Sequence, residues 1–242
     1  GAVPPVPPAL RLRARYFLRY AVLPPRARRP SMLASHTRVL ILVLLGFSAL
    51  LGILFWWRQN VKKALGGRIS PPKVAWLFYA IFLWFLLCPL VALDSAIDVR
   101  LRMVLGGFGA FMWVRGVAEL YMLYVSHNWK PPYGIGHDVL CILLVLCGVS
   151  WFAFQHQGPL SRIDSWALSL IALVLVSLLV EVLYATLFFQ AVEGHTTGED
   201  GIWFADEEQA RFRRINRITL ACNVPLYASL AALLSVALGL GF

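Results

Sequence analysis

The chain has 242 residues, of which 60% are hydrophobic and 14% are charged; its mean hydropathy is +0.71 and its net charge is +10. A soluble domain is nearer to about 45–50% apolar and about 25% charged. The apolar residues here gather in runs of about 20, the length that crosses a hydrocarbon core of roughly 30 Å. This composition excludes a sizeable soluble domain and predicts an all-α, polytopic membrane protein.

The positive charge is concentrated at the start of the chain. Residues 1–93 contain 13 Lys and Arg and no carboxylate, and the first acidic residue is Asp94. In a membrane protein, such a bias indicates attraction to anionic lipid head groups and control of topology. Nucleic-acid binding is disfavoured, because the basic stretches flank hydrophobic segments.

The sequence divides into a basic, Pro- and Arg-rich arm over residues 1–38 and a transmembrane domain over residues 39–242. Residues 9–23 mix Arg with Leu, Tyr and Phe, as expected of a helix that lies on a membrane surface. Three interpretations of the arm are open: a targeting presequence, sequence upstream of a start at Met32, or a segment that contacts lipid or a partner. The side chains predicted to make that contact are Arg11, Arg13, Arg15 and Arg19.

Six spanning helices are predicted from the apolar runs. The runs are continuous rather than alternating, which favours helices over a β-barrel, and Trp residues lie near their ends as in membrane interfaces. The predicted spans are approximately 39–57, 74–93, 103–125, 139–155, 165–190 and 219–241.

Between the second and third spans, Asp94, Asp98 and Arg102 follow one another at intervals of four residues. This spacing predicts a capped turn at the interface, held by an ion pair. The alternative is a rim of acidic groups at the mouth of a pore.

Three ionisable residues fall well inside predicted spans: Arg115 and Glu119 in the third and Glu181 in the fifth. Such residues are costly in a bilayer and usually face the interior of the bundle. Arg115 and Glu119 are four residues apart and can pair on one helix face. We predict an intramembrane polar cluster of these three residues. It locks helices together or forms part of a proton or solute pathway; the third alternative is that the side chains face lipid and extend to the interface.

The loop over residues 126–138 contains three metal-ligating residue types, His127, His137 and Asp138. Their spacing matches no specific site, so a metal centre here is the weaker interpretation. The alternative for Asp138 is the N-cap of the fourth helix.

Ahead of the last span, residues 205–218 carry acidic groups first and basic groups last, an order that complements a helix dipole. We predict a charged surface helix that contacts lipid or a partner. Further on, Ala228, Ala231, Ala232, Ser235 and Gly239 form a small-residue face, which packs within the bundle or against a partner. The basic side chains of the surface helix are Arg211, Arg213, Arg214 and Arg217.

The orientation depends on the arm. Starting at Met32 with the N-terminus outside, the inner loops hold ten Lys and Arg and the outer segments hold four, a positive-inside bias. Including residues 1–31 adds seven Arg outside and removes the bias. We favour both termini outside, in a bacterial or organellar inner membrane.

No sequence motif fixes a reaction or implies a cofactor. The small size, the basic arm and the charged surface helix favour a non-catalytic accessory, structural or assembly subunit of a larger membrane complex. Its expected partners are lipids and other membrane subunits. The alternative functions are a small proton-coupled transporter or channel that uses the Arg115, Glu119 and Glu181 cluster, and a membrane enzyme that uses the histidines.

Overall fold

The structure is a computed structural model that describes residues 32–60, 70–126, 128, 131–192 and 210–240. All regular structure in these ranges is helical, which confirms the predicted fold class. Six helices are long and apolar enough to cross a membrane. The helices are α1 (Met32–Asn60), α2 (Pro71–Ala92), α3 (Val99–Tyr124), α4 (Pro131–Gln155), α5 (Arg162–Val192) and α6 (Ala210–Leu240).

Helices α2 to α6 form a ring in which each helix packs against the next, and α6 closes the ring by packing against α2. Helix α1 packs on α2. The interior of the ring is apolar, and hydrogen bonds between helices cross it. Such bonds help helices to associate in lipid, where no hydrophobic driving force acts between them. The buried indole of Trp84 donates to Ser177 Oγ of α5 at 2.9 Å, and Tyr227 Oη of α6 donates to the Ala75 carbonyl of α2 at 2.7 Å.

Helix α2 is irregular near its middle. Residues Ile81–Leu87 are π-helical and separate α-helical Pro71–Ala80 from α-helical Cys88–Ala92. Pro89 has no N–H to donate to the carbonyl of Phe85, four residues earlier. The indole N–H of Trp113 on α3 donates to that carbonyl at 3.1 Å, so α3 supplies a donor where proline has removed one.

Several helices begin or end differently from the predictions. Helix α4 begins at Pro131, eight residues before its predicted span, because proline fits the first helical position. The last helix is continuous from Ala210, so residues 210–218 are its first turns rather than a separate surface helix. Helix α1 begins at Met32, inside the predicted arm, while residues 1–31 and 205–209 lie outside the described residues.

The turn between α2 and α3 is capped and ion-paired, but with different partners from those the four-residue spacing predicts. Asp98 is the N-cap of α3, where it accepts from the Arg100 backbone, and its carboxylate pairs with the Arg100 guanidinium at 2.7 Å. This bond lowers the pKa of Asp98 below its ordinary value. Arg102 instead donates to the carbonyl of Ala92, and the Asp98 amide donates to Asp164 at the start of α5.

Candidate functional site

Arg115 lies between two carboxylates from two helices. Its Nε donates to Glu119 Oε1 at 2.9 Å, one turn later on α3, as the four-residue spacing predicts. Its two terminal nitrogens face the carboxylate of Asp138 on α4, with Nη1 bonded to Oδ1 and Nη2 at 3.5 Å from Oδ2. The Arg115 side chain is 9% exposed and that of Asp138 is 1% exposed. We call these three residues the Arg115 clamp, because they tie α3 to α4 by a forked, charge-assisted contact.

The sequence around Asp138 explains how the clamp forms. Because α4 begins at Pro131, Asp138 lies seven residues inside the helix and is not its N-cap, which corrects that prediction. Gly134, one turn earlier, is buried next to Arg115, and a Cβ there would meet Nη2 of Arg115 at 3.7 Å. Residues four apart share a helix face, so Gly134 and Asp138 together give the guanidinium room and a partner.

Glu181 was predicted to join Arg115 and Glu119 in one cluster, but it does not bond to Arg115. Among the described residues, both ion pairs of Arg115 are with Glu119 and Asp138. Glu181 instead lines a crevice between α5 and α6, and its Oε2 is buried without a hydrogen-bond partner. It remains within electrostatic range of Asp138, so it lies beside the clamp rather than in it. The lining residues are Trp76, Val180, Glu181, Tyr184, Thr219, Cys222 and Asn223.

Lys73, which lies just before the predicted second span, is also a member of this region. It lies in the first turn of α2, after the N-cap Ser70, and its Nζ is 4.4 Å from the centroid of the Tyr184 ring on α5. It interacts electrostatically with Glu181 and Glu119. The signal for this position is Pro71–Pro72, which starts a helix and carries the lysine into the membrane domain.

Five ionisable side chains therefore meet at one end of the bundle, where α2, α4 and α6 begin and α3 and α5 end. We call them the charge cluster. Two are cations and three are carboxylates, so one negative charge is in excess when all are ionised. Charges at membrane depth are expensive and tend to pair or mark a functional path. The charge cluster consists of Lys73, Arg115, Glu119, Asp138 and Glu181.

Two of the three predicted metal ligands, His137 and Asp138, are described, and their side chains contact different partners. The imidazole of His137 packs edge-on against Phe111 with ring centroids 6.3 Å apart, while Asp138 faces Arg115. In the part of the chain that the structure describes, no three His, Cys, Asp or Glu are grouped as a metal site would need. His127 lies outside the described residues, so a metal site that includes it stays a prediction.

The predicted lipid or partner contacts are described in part. At the start of α6, three of the four arginines have exposed side chains: Arg213, Arg214 and Arg217. The side chain of Arg211 lies outside the described residues. The same holds for the arm residues Arg11, Arg13, Arg15 and Arg19.

Comparison of the chain with protein-family models, with curated proteins and with solved structures found no match. The features of this chain that bear on its function are therefore the charge cluster and the outer surface of the bundle.

Proposed function

We propose that this protein is a non-catalytic subunit of a larger membrane complex, and that a transmembrane helix of a partner packs on α6. The observation that carries the proposal is the small-residue face formed by Ala228, Ala231, Ala232 and Ser235, because all four side chains are exposed. The ring uses another side of α6, where Leu226, Leu230 and Leu233 are buried. The face predicted to pack either in the bundle or against a partner is thus left uncovered by the described residues.

Small residues matter for helix association in lipid. Lipid chains are as apolar as leucine, so helices associate through close packing, and Ala, Ser and Gly allow two backbones to approach. On a helix that faces only lipid, this close approach contributes nothing. The first turns of α6 extend toward the head groups and contain exposed arginines. An anionic partner segment or an anionic lipid can pair with these arginines there.

The experiment is purification in mild detergent from the native membrane, with identification of every protein that co-purifies. We expect partners at fixed stoichiometry with the natural sequence, and a loss of about tenfold or more with Ala228→Leu/Ala232→Leu, since 1.4 kcal/mol of lost packing is about tenfold in affinity. Ala172→Leu is the matched control, because Ala172 is an exposed alanine on α5.

Two results would count against the subunit role. One is a monomer or a homo-oligomer that carries no other protein out of its native membrane. The other is a partner content that stays the same in the double variant while Ala172→Leu behaves like the natural sequence.

A second function, proton-coupled transport, is favoured by one specific observation: Glu181, a member of the charge cluster that has one carboxylate in excess, has a buried oxygen with no hydrogen-bond partner among the described residues. A group of this kind can take up and release a proton, as acidic residues in membrane pumps do.

This second function predicts that Glu181→Gln lowers proton flux to the rate of protein-free vesicles, measured with a pH-sensitive dye in reconstituted vesicles under an imposed pH gradient. Asp98→Asn is the control, because that carboxylate lies in the turn at the opposite end of the bundle. Equal flux in Glu181→Gln and the natural sequence would reject transport through this site.

A further inference from the structure

Two residues that line the crevice between α5 and α6 each have a buried hydrogen-bond acceptor for which the described residues supply no donor. One acceptor is Glu181 Oε2 and the other is Asn223 Oδ1. Asn223 is 5% exposed, and its Nδ2 donates to the carbonyl of Pro72 at 2.7 Å. Because a carbonyl can only accept, this bond fixes which end of the amide carries the nitrogen and leaves Oδ1 as the free acceptor.

Buried acceptors of this kind need a hydrogen-bond donor. A protonated carboxyl supplies one, and a water molecule supplies two. The crevice has a volume of about 180 Å³ when the open space at its mouth is included, and its enclosed part is about the size of one water molecule. Pockets for organic ligands are usually about 300–1,000 Å³, so the crevice suits water and a proton better than a solute.

The charges around Glu181 also favour a proton. The groups that interact electrostatically with Glu181 are Lys73 of α2, Asp138 of α4 and Cys222 of α6, and Tyr184 of its own helix lines the same crevice. Arg115 and Glu119 of α3 lie next to Asp138 and Lys73. Arg115 is bonded to both Glu119 and Asp138, and Lys73 interacts with both Glu181 and Glu119. Two cations are therefore divided among three carboxylates. A carboxylate in excess in a medium of low dielectric constant becomes neutral by binding a proton.

We propose that Glu181 binds an exchangeable proton, and that water in the crevice connects this carboxyl to Asn223. The site opens between α5 and α6, within the half of the bundle that contains the charge cluster. Proton binding at this position is independent of whether a partner packs on α6, and it does not require net transport.

The test is labelling of the full-length protein in native membranes with dicyclohexylcarbodiimide, followed by peptide mass spectrometry. The reagent reacts with protonated carboxyls in apolar surroundings: the carboxyl oxygen bonds to the carbodiimide carbon, and the carboxyl proton moves to its nitrogen. We expect label on Glu181 that falls, above the midpoint of its titration, by about tenfold for each pH unit. Glu181→Gln should carry no label at this position. Asp98→Asn, whose carboxylate lies in the turn before α3 and outside the charge cluster, should leave the Glu181 label in place.

Infrared spectroscopy gives a second readout that does not depend on access of the reagent. The natural sequence should show one protonated-carboxyl carbonyl stretch more than Glu181→Gln, and this additional band should disappear on raising the pH. Asn223→Leu removes the second acceptor and should shift the midpoint of this titration.

Three outcomes would overturn the proposal. The first is label on Glu119 or Asp138 in place of Glu181, and the second is an infrared carboxyl spectrum that is the same in Glu181→Gln and in the natural sequence. The third is label on Glu181 that is insensitive to pH and blocked by sodium or potassium, which would identify a metal-cation site. None of these outcomes depends on whether partners co-purify, so this inference and the subunit role fail separately. Transport through Glu181 requires the proton, so loss of the proton site would also reject transport, whereas absence of flux would leave the proton site in place.

Discussion

Arg115→Met is expected to destabilise the protein by about 3–5 kcal/mol, the range found when one partner of a buried ion pair is removed. The reason is Asp138, which is 1% exposed and loses both of its contacts to the guanidinium. Glu119 is 27% exposed and can turn toward water or head groups, so most of the loss arises from Asp138. Reversible unfolding in mixed micelles measures the change in free energy.

A double variant distinguishes two causes of instability in Arg115→Met: loss of the attraction between Arg115 and Asp138, and burial of the unpaired Asp138 carboxylate. Arg115→Met/Asp138→Leu replaces the pair with apolar side chains, a change that is often neutral or stabilising in proteins. It should therefore be more stable than Arg115→Met alone. Arg213→Met, at an exposed arginine of α6, is the matched control and should change stability by no more than about 0.5 kcal/mol.

Equal stability of Arg115→Met and Arg213→Met would show that the clamp does not hold α3 to α4. A double variant as unstable as Arg115→Met would show that the fork itself, rather than the unpaired carboxylate, accounts for the effect.

Hydropathy was sufficient to predict the six spans, because each helix contains a continuous apolar run of membrane length. It was a poor guide to where α4 and α6 begin. The first turns of α4 contain Pro131, Gly134 and Asp138, and those of α6 contain several arginines, so neither start is apolar. A helix that extends beyond the hydrocarbon region or into a polar cluster gives no hydrophobic signal for its first residues.

The same distinction explains which parts of the charge cluster were predictable. The Arg115–Glu119 pair is local, and helix geometry fixes it once α3 is recognised. Asp138 joins the cluster only because α4 starts early and packs beside α3, and Lys73 joins it because α2 packs near α5 at Tyr184. These contacts depend on the order of helices around the ring, which no pattern along a single sequence specifies.

Asn223 illustrates the limit most clearly. In the sequence it is one polar residue in the last span, two residues before Pro225. Its role depends on the carbonyl of Pro72, 151 residues earlier, which holds the amide so that Oδ1 faces the crevice with Glu181. Only a three-dimensional arrangement of α2, α5 and α6 relates these residues.

The contact between α2 and α3 leads to the second large effect: Gly109→Ala should destabilise the protein by about 1–3 kcal/mol, as overpacking of a tight core does. A Cβ at Gly109 would lie 2.7 Å from Cγ and 3.2 Å from Cδ of Pro89. The pyrrolidine ring cannot rotate away as a flexible side chain would, so the helices themselves must separate. Thermal unfolding in detergent measures the loss.

Gly107→Ala is the matched control, because it lies on the same helix and a Cβ there meets nothing within 4 Å. Alanine is a better helix former than glycine by about 1 kcal/mol, so the control should be neutral or slightly stabilising, opposite in sign to Gly109→Ala. Pro89→Ala/Gly109→Ala should recover part of the loss, because it removes the ring atoms that collide. If Gly109→Ala were as stable as Gly107→Ala, α3 could shift along α2 at little cost. The position of Arg115, six residues further along α3, would then depend on the clamp alone rather than on close packing against α2.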